Sequence, residues 1–302
     1  MKLKEWGAFI LLALIWGSSF LWIKTAVDEI GPFTLVAFRL LFGLLGLLLV
    51  MGVQRRSFPR DRRTLLAYLF MGAVNTAFPF VLISWGETKI DSGLASILNS
   101  TVPLFTIVIA HFWLHDEKIT IPRIIGLIVG FLGVMVLVSR DFRSDGIHGS
   151  LWGQLAVIAA AICYATAITF SRRYLRNQQP VVQSTMILLI ADAMLWLSIP
   201  VAEPSFRLPA LPITWIALLW LGLLGSCSAY LLFFFLINSW GPTRASVVTY
   251  TFPITGLVFG VLFRGEIVDW PLIAGTLLVV GGILVLNLKL RAKPRLAATA
   301  AD

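Results

Sequence analysis

The chain has 302 residues, of which 58% are apolar and 13% charged, and its mean hydropathy is +0.89. A soluble domain is about 25% charged, so 24 Lys and Arg with 15 Asp and Glu cannot make a water-exposed shell for 33.4 kDa, and most of the surface must face lipid. The formal charge of +9 does not point to nucleic acid, because the basic residues sit in short segments between apolar stretches and form no tract with interleaved aromatics.

Ten apolar stretches follow, near residues 5–24, 32–53, 65–86, 92–114, 121–139, 150–170, 180–200, 213–237, 243–263 and 271–290. About 20 residues cross a hydrocarbon core of about 30 Å as a helix, which predicts an all-α protein of ten transmembrane helices. The first span follows Lys2 and Lys4 like a signal peptide, but no small-residue cleavage site precedes Lys24, and it is read as retained. Span two carries Arg39 and span seven Asp192, the two ionisable residues well inside apolar stretches. Intramembrane charge is by default a functional hypothesis, and their equal estimated depth, about 12 Å at 1.5 Å per residue, permits an ion pair. Asp192 is also a candidate for proton coupling.

Span four contains Asn99-Ser100-Thr101, which has the form of a glycosylation acceptor but lies mid-membrane, followed by Pro103. Pro253 occupies the corresponding place in span nine. A proline in mid-span removes one backbone hydrogen bond and loosens the carbonyl four residues earlier, here on Asn99 and Thr249. Such breaks are tolerated in lipid where a neighbour or a watery cavity satisfies the freed group, so spans four and nine are expected to wall a cavity. Glu117 and Glu266 stand just beyond these spans and are expected to cap the next helix or act as gates. Gly126-x-x-x-Gly130 and Gly256-x-x-x-Gly260 are helix-packing patterns that also leave a homodimer open. His111 and His115 share a helix face, but with only three histidines in the chain they are not read as a metal site. Cys163 and Cys227 fall inside spans as small packing residues.

Sliding the chain on itself by about 150 positions lays Gly72 on Gly222, Ala95-Ser96 on Ala245-Ser246, Thr101 on Thr251 and Pro103 on Pro253. With a one-residue gap, Glu117 falls on Glu266, Gly126 on Gly275 and Gly133 on Gly282. This divides the chain into repeats over 1–140 and 149–291 and a basic, small-residue tail over 292–302 expected to be disordered. Five spans per repeat is an odd number, so the second repeat must enter from the opposite side, an inverted repeat of the kind found in alternating-access carriers. Counting loops alternately puts 17 Lys and Arg on the side of the N-terminus against six opposite (Lys24, Lys89, Arg140, Arg143, Arg207 and Arg264), which predicts both termini in the cytoplasm.

The run Trp16-Gly17-Ser18-Ser19-Phe20 with Lys24 resembles the first-helix signature of the EamA family, in the drug/metabolite transporter superfamily. Gly222-Leu223-Leu224-Gly225 through Tyr230, then Ala245, Pro253, Gly265-Glu266 and Gly275 to Gly282, resemble that family's C-terminal repeat. The resemblance implies a 5+5 helical bundle with a central cavity, in a cytoplasmic membrane, exporting amino acids or related small metabolites without covalent chemistry. The second half departs from the pattern, with Ile162-Cys163-Tyr164-Ala165-Thr166 in place of the Trp-Gly-Ser-Ser run.

Trp16, Ser18, Asn75, Phe78, Asn99, Pro103, Tyr164, Tyr230, Tyr250 and Pro253 are the candidate substrate-binding residues, an aromatic set with a few hydrogen-bonding groups as small-molecule sites have. No cofactor is called for: there is no G-x-x-x-x-G-K-[ST] phosphate loop and no G-x-S-x-G elbow. The partners expected are a small-molecule substrate and the bilayer. Uptake or exchange of another metabolite or an organic cation stays open, whereas an intramembrane enzyme or scaffold would need a clustered catalytic constellation that the sequence does not display.

Overall fold

The structure is a computed structural model that describes residues 3–114, 119–139, 149–176, 178–204, 206–240 and 245–286. Glu117, His115 and the 292–302 tail lie outside these residues. Among the described residues, nine helices are long and apolar enough to cross a membrane: α1 (Leu3–Val27), α2 (Pro32–Val53), α3 (Arg62–Glu87), α4 (Ser92–Trp113), α5 (Ile121–Val138), α6 (Ser150–Tyr174), α7 (Pro180–Ala202), α8 (Pro212–Ile237) and α9 (Val247–Arg264). A shorter apolar helix, α10 (Trp270–Leu286), occupies the tenth expected span. Leu49, Phe112, Leu197 and Leu277 are exposed, as they must be where lipid is the solvent.

Four of the helices are not uniform, and they fall at equivalent places in the two halves. In α3 the segment Gly72–Ala77 is wound as a π-helix, and in α8 so is Trp220–Ser228. α4 breaks after Ser92–Asn99 and resumes as Val102–Trp113, while α9 starts as the 3-10 turn Ser246–Thr251 and continues as Phe252–Arg264. Pro103 and Pro253 therefore sit in the first turn of a resumed helix, where a missing N–H is one of the unpaired terminal donors anyway.

Helix pairing between the halves comes in matched couples. α1 packs on α9 as α6 packs on α4, α2 on α8 as α7 on α3, and α3 on α6 as α8 on α1. α2 with α7, α4 with α9 and α5 with α10 complete the set. The α5–α10 seam is glycine-lined, so that backbones touch: a Cβ on Gly133 would come within 2.9 Å of the Gly275 oxygen, and one on Gly282 within 2.5 Å of the Gly130 nitrogen. Gly256 packs on Ser96 of α4, so both glycine patterns are used inside the chain.

The loops after α1, α3, α7 and α9 meet at one end of the bundle, here called distal, and carboxylates of one half cap helices of the other. Glu29 accepts from the amides of Ala210 (2.5 Å) and Leu211 (2.9 Å) and from the Thr214 hydroxyl at the start of α8. The Thr214 hydrogen bond, with the two amides, holds the Glu29 carboxyl below the usual glutamate range. Glu203, past the end of α7, accepts from Phe33 N (2.8 Å) and Thr34 N (3.0 Å) at the start of α2, so α2 and α7 run antiparallel. Glu266 accepts from Ser92 N and Gly93 N, each at 2.8 Å, and Arg264 pairs with Asp28 at 2.9 Å. At the proximal end the Trp240 indole donates to Glu5 (2.8 Å) and Arg173 to the Trp113 carbonyl (3.1 Å).

The Glu266 geometry corrects its expected role. It caps the N-terminus of α4 across the bundle, whereas α10 is capped by Asp269, whose carboxylate accepts from Leu272 N at 3.0 Å. The cause is local: Gly265 takes the left-handed conformation (φ 64°), Glu266 N closes back on the Gly260 carbonyl (3.2 Å), and the carboxylate turns into the notch left by Gly93 and Gly260.

Candidate functional site

The candidate site is organised by the two π-helical segments. A π turn joins residues five apart, as in Phe78 N bonding to the Ala73 carbonyl and Ala229 N to the Leu224 carbonyl. In α3 this widened turn carries the inward face from Asn75 on to Phe80. In α8 it carries it from Gly225 on to Tyr230. The wider winding also leaves carbonyls free to serve other helices, and the Trp16 indole donates to the Gly225 oxygen at 3.0 Å.

Arg39 of α2 stands where these faces converge. Its guanidinium carbon lies 4.1 Å from the centroid of the Phe80 ring, and Nε reaches Ser226 Oγ of the π segment at 3.4 Å. A cation over a desolvated aromatic face gains about 2 kcal/mol, which helps retain a charge that is only 7% exposed. Tyr164 of α6, Tyr230 of α8 and Glu87 of α3 lie within electrostatic range of Arg39. Tyr164 meets Phe80 edge to face at 6.5 Å, Tyr230 meets Trp16 in the same way at 6.4 Å, and Asn75 lies beside the Tyr230 hydroxyl. Trp16 is further fixed by Phe233 and Phe252 at 5.3 and 6.0 Å. The result is an aromatic enclosure around one cation that makes no ion pair among the described residues. Such a cation can receive a carboxylate bidentately.

Of the expected residues, the structure brings Trp16, Asn75, Tyr164 and Tyr230 together. Ser18 is adjacent through the Trp220 indole, which donates to its hydroxyl at 3.1 Å. Asn99 is buried at the break in α4 with Oδ1 unpartnered, and Pro103, Pro253 and Tyr250 lie at the two helix breaks. Phe78 does not belong: it is 58% exposed on the outside of the bundle, and Phe80 takes the inward place because the π turn shifts the facing residue.

Arg39 and Asp192 do not pair. The face of α2 that holds Arg39 is pressed on α8, where a Cβ on Gly222 would strike the Arg39 carbonyl oxygen, and this aims the guanidinium at Ser226 and Phe80. Asp192 faces the Trp196 indole on its own helix, with Oδ1 lacking a donor.

Sequence reasoning missed Phe80, Ser226 and Glu87. Glu87 closes α3 with no exposed surface, and neither carboxylate oxygen has a hydrogen-bond partner. Its signal was present: a lone acid at the rim of an apolar span, seven residues after Phe80 and so on the same helix face. Above it, a distal recess of about 530 Å³ is lined by Lys24, Asp91, Arg264, Gly265, Glu266, Ile267 and Asp269.

The chain is 27% identical over 282 residues to the uncharacterized transporter YoaV of Bacillus subtilis, covering 91% of this chain and 94% of that one. It is 24% identical to the uncharacterized inner membrane transporter YedA of Escherichia coli K12, over 87% and 84% of the two chains. It is 25% identical to a chloroplastic WAT1-related protein of Arabidopsis thaliana, over 94% and 69%. A solved crystal structure superposes with a TM-score of 0.67 at 18% identity, over 95% of this chain and 97% of the other, a likeness of fold. The profile of the EamA-like transporter family matches twice, over residues 5–139 and 151–288. A multi-pass bundle of apolar helices with two such matches is a membrane transporter, and the chain belongs to the EamA-like transporter family.

Proposed function

We propose that this protein is a secondary carrier in the cytoplasmic membrane that exports amino acids or related amphipathic metabolites by alternating access. Its two halves, 1–140 and 149–291, act as inverted repeats that rock about the site between them, with both termini in the cytoplasm. The matched helix couples and the antiparallel course of α2 and α7 support the inversion. The lysine and arginine bias of the proximal loops supports the orientation.

The observation that carries the substrate class is Arg39. A guanidinium buried among Phe80, Tyr164 and Tyr230, without a carboxylate of its own, is suited to receive the carboxylate of a small ligand whose apolar part packs on the rings. Trp16, Ser18, Asn75, Asn99 and Tyr250 supply the rest of the lining, and the helix breaks at Pro103 and Pro253 supply flexible walls.

A stability screen of the purified chain against the twenty amino acids tests the reading, since a ligand that binds the folded state raises the melting temperature by mass action. At least one carboxylate-bearing amino acid is expected to raise it, and the rise is expected to disappear in Arg39→Lys, which keeps the charge but loses the planar fork. A rise that survives in Arg39→Lys contradicts the assignment.

A further inference from the structure

The buried acid that the aromatic enclosure leaves unused is Glu87. Both its carboxylate oxygens are sealed from solvent without a hydrogen-bond donor, and the Ser84 hydroxyl, one turn earlier on the same face, is equally sealed and unpartnered. The charges whose fields reach Glu87 are Lys24 of α1, Glu266 of the α9–α10 turn and Arg39 of α2. None of them neutralises it. The Lys24 ammonium is spent on the main-chain carbonyls of Glu87 (2.6 Å) and Ile90 (2.9 Å), Arg39 is held at Phe80 and Ser226, and Glu266 is itself an acid engaged at Ser92 and Gly93. α6 packs against this end of α3, with Gly153 and Val157 against Gly86, and brings no ionisable side chain there. An ionised carboxylate without water, donors or a paired cation is among the costliest arrangements a side chain can take, whereas a neutral carboxyl is far cheaper.

Solvent comes nearest to Glu87 at the distal recess, which the Glu87 side chain does not itself line. Lys24 both lines the distal recess and touches the Glu87 main chain, and Asp91, Glu266 and Asp269 line the same recess. Arg264 lines it too, so the recess is a polar, charged vestibule in which water is favoured. Opening the distal end by parting Glu266 from Ser92 would admit water and free Lys24 to turn from the two carbonyls to the adjacent carboxylate.

We propose that Glu87 is the proton-carrying residue of the transport cycle, holding a proton while the distal end is tied and releasing it when that end opens. In the step, the O–H bond of the Glu87 carboxyl breaks, the proton passes to water in the opened recess, and the carboxylate left behind pairs with the Lys24 ammonium. In the return step, with the distal end tied again, the carboxylate takes a proton from water admitted from the proximal side, so that one proton crosses the membrane per cycle, and Lys24 goes back to the carbonyls. No electron transfer is involved. Asp192, which lies on α7 facing Trp196 and away from the recess lining, has no part in it. The proposal rests on the reading of the chain as a carrier, and its test has one arm that does not require transport.

In that arm the full chain in liposomes is treated with dicyclohexylcarbodiimide, which modifies protonated carboxyls in apolar surroundings, and the adduct is mapped by peptide mass spectrometry. Modification of Glu87 is expected in mildly acidic buffer, with a several-fold loss of it in alkaline buffer. Absent or pH-independent modification of Glu87 overturns the proposal. In the second arm, uptake of labelled amino acids into proteoliposomes is measured with and without an imposed pH gradient. The ratio of gradient-driven to equal-pH uptake is expected to collapse to one in Glu87→Gln and to survive in Asp192→Asn. A gradient drive that persists in Glu87→Gln overturns the proposal while leaving the carrier intact. If the unmodified chain moves no amino acid, the carrier reading falls and the labelling arm still decides whether Glu87 holds the proton. That arm uses the unmodified chain, so it also decides the matter should Glu87→Gln fail to fold.

Discussion

The Lys24 ammonium donates to the main-chain carbonyl of Glu87 at 2.6 Å, while the carboxylate of that same residue has no donor at all. With its second bond, to the Ile90 carbonyl at 2.9 Å, Lys24 closes the C-terminus of α3, where unpaired carbonyls and the helix dipole both favour a cation. A charged donor on a helix end contributes about 1.5 kcal/mol. Lys24→Met is therefore expected to lower the melting temperature of the purified chain, with Lys24→Arg recovering part of the loss. Equal stability of Lys24→Met and the unmodified chain would show that this contact is incidental.

Phe80 and Phe78 provide an internal control on the π turn. Phe80→Ala removes the ring under Arg39 and a buried aromatic contact with Tyr164, at a cost of about 3 kcal/mol. Phe78→Ala removes an outward-facing ring, and a substitution at such a place costs within about 0.5 kcal/mol. Chemical denaturation in detergent separates the two, and a larger effect at Phe78 would contradict the inward assignment of Phe80.

The contrast between these two phenylalanines also marks where reading the sequence succeeds. Apolar runs of spanning length are decided by lipid, which admits little else, so the helices were legible from composition and length. The breaks before Pro103 and Pro253 were legible because proline cannot donate to the backbone ladder. The π turns were not, because nothing in Gly72–Ala77 or Trp220–Ser228 distinguishes a turn of five from one of four, and projecting the inward face from Asn75 by ordinary helical spacing lands on Phe78. Equal depth made Arg39 and Asp192 look like partners, but rotation about each helix axis decides contact, and that comes from the Gly222 approach to α2. Glu29 and Glu203 were unremarkable loop acids in the sequence because their partners lie 181 and 170 residues away.

The distal ties make stability depend on pH in a defined sense. The Glu29 carboxyl is held below its ordinary value by Thr214, Leu211 and Ala210, so the folded chain binds that proton less readily than the unfolded one. The contribution is fully present above the ordinary glutamate value of about 4.3 and is lost as pH falls through the lower folded value. Melting temperature followed from neutral pH down to about pH 3 is expected to fall more steeply in the unmodified chain than in Glu29→Gln. Parallel curves would remove Glu29 from the distal tie.

The paired prolines test the inversion. Pro→Ala removes the ring and restores an N–H in the first turn after each break, which favours joining the two segments of α4 or of α9 into one stiffer helix. Under the proposed inversion α4 and α9 take equivalent places in oppositely oriented halves, and Pro103→Ala and Pro253→Ala are then expected to favour opposite-facing states. Single cysteines reported by membrane-impermeant labelling from each side read the shift. A shift in the same direction for both, or none for either, would leave the prolines as packing features.

Counterflow is the most direct measure of whether the Arg39 enclosure is the site of a carrier. Proteoliposomes loaded with an unlabelled amino acid are placed in a trace of the labelled one, with no nucleotide and equal pH on both sides. Transient accumulation of label inside, abolished in Arg39→Lys with the variant still folded and monodisperse, is the predicted result. Failure of all twenty amino acids to exchange through folded protein, or exchange that requires ATP, would contradict it.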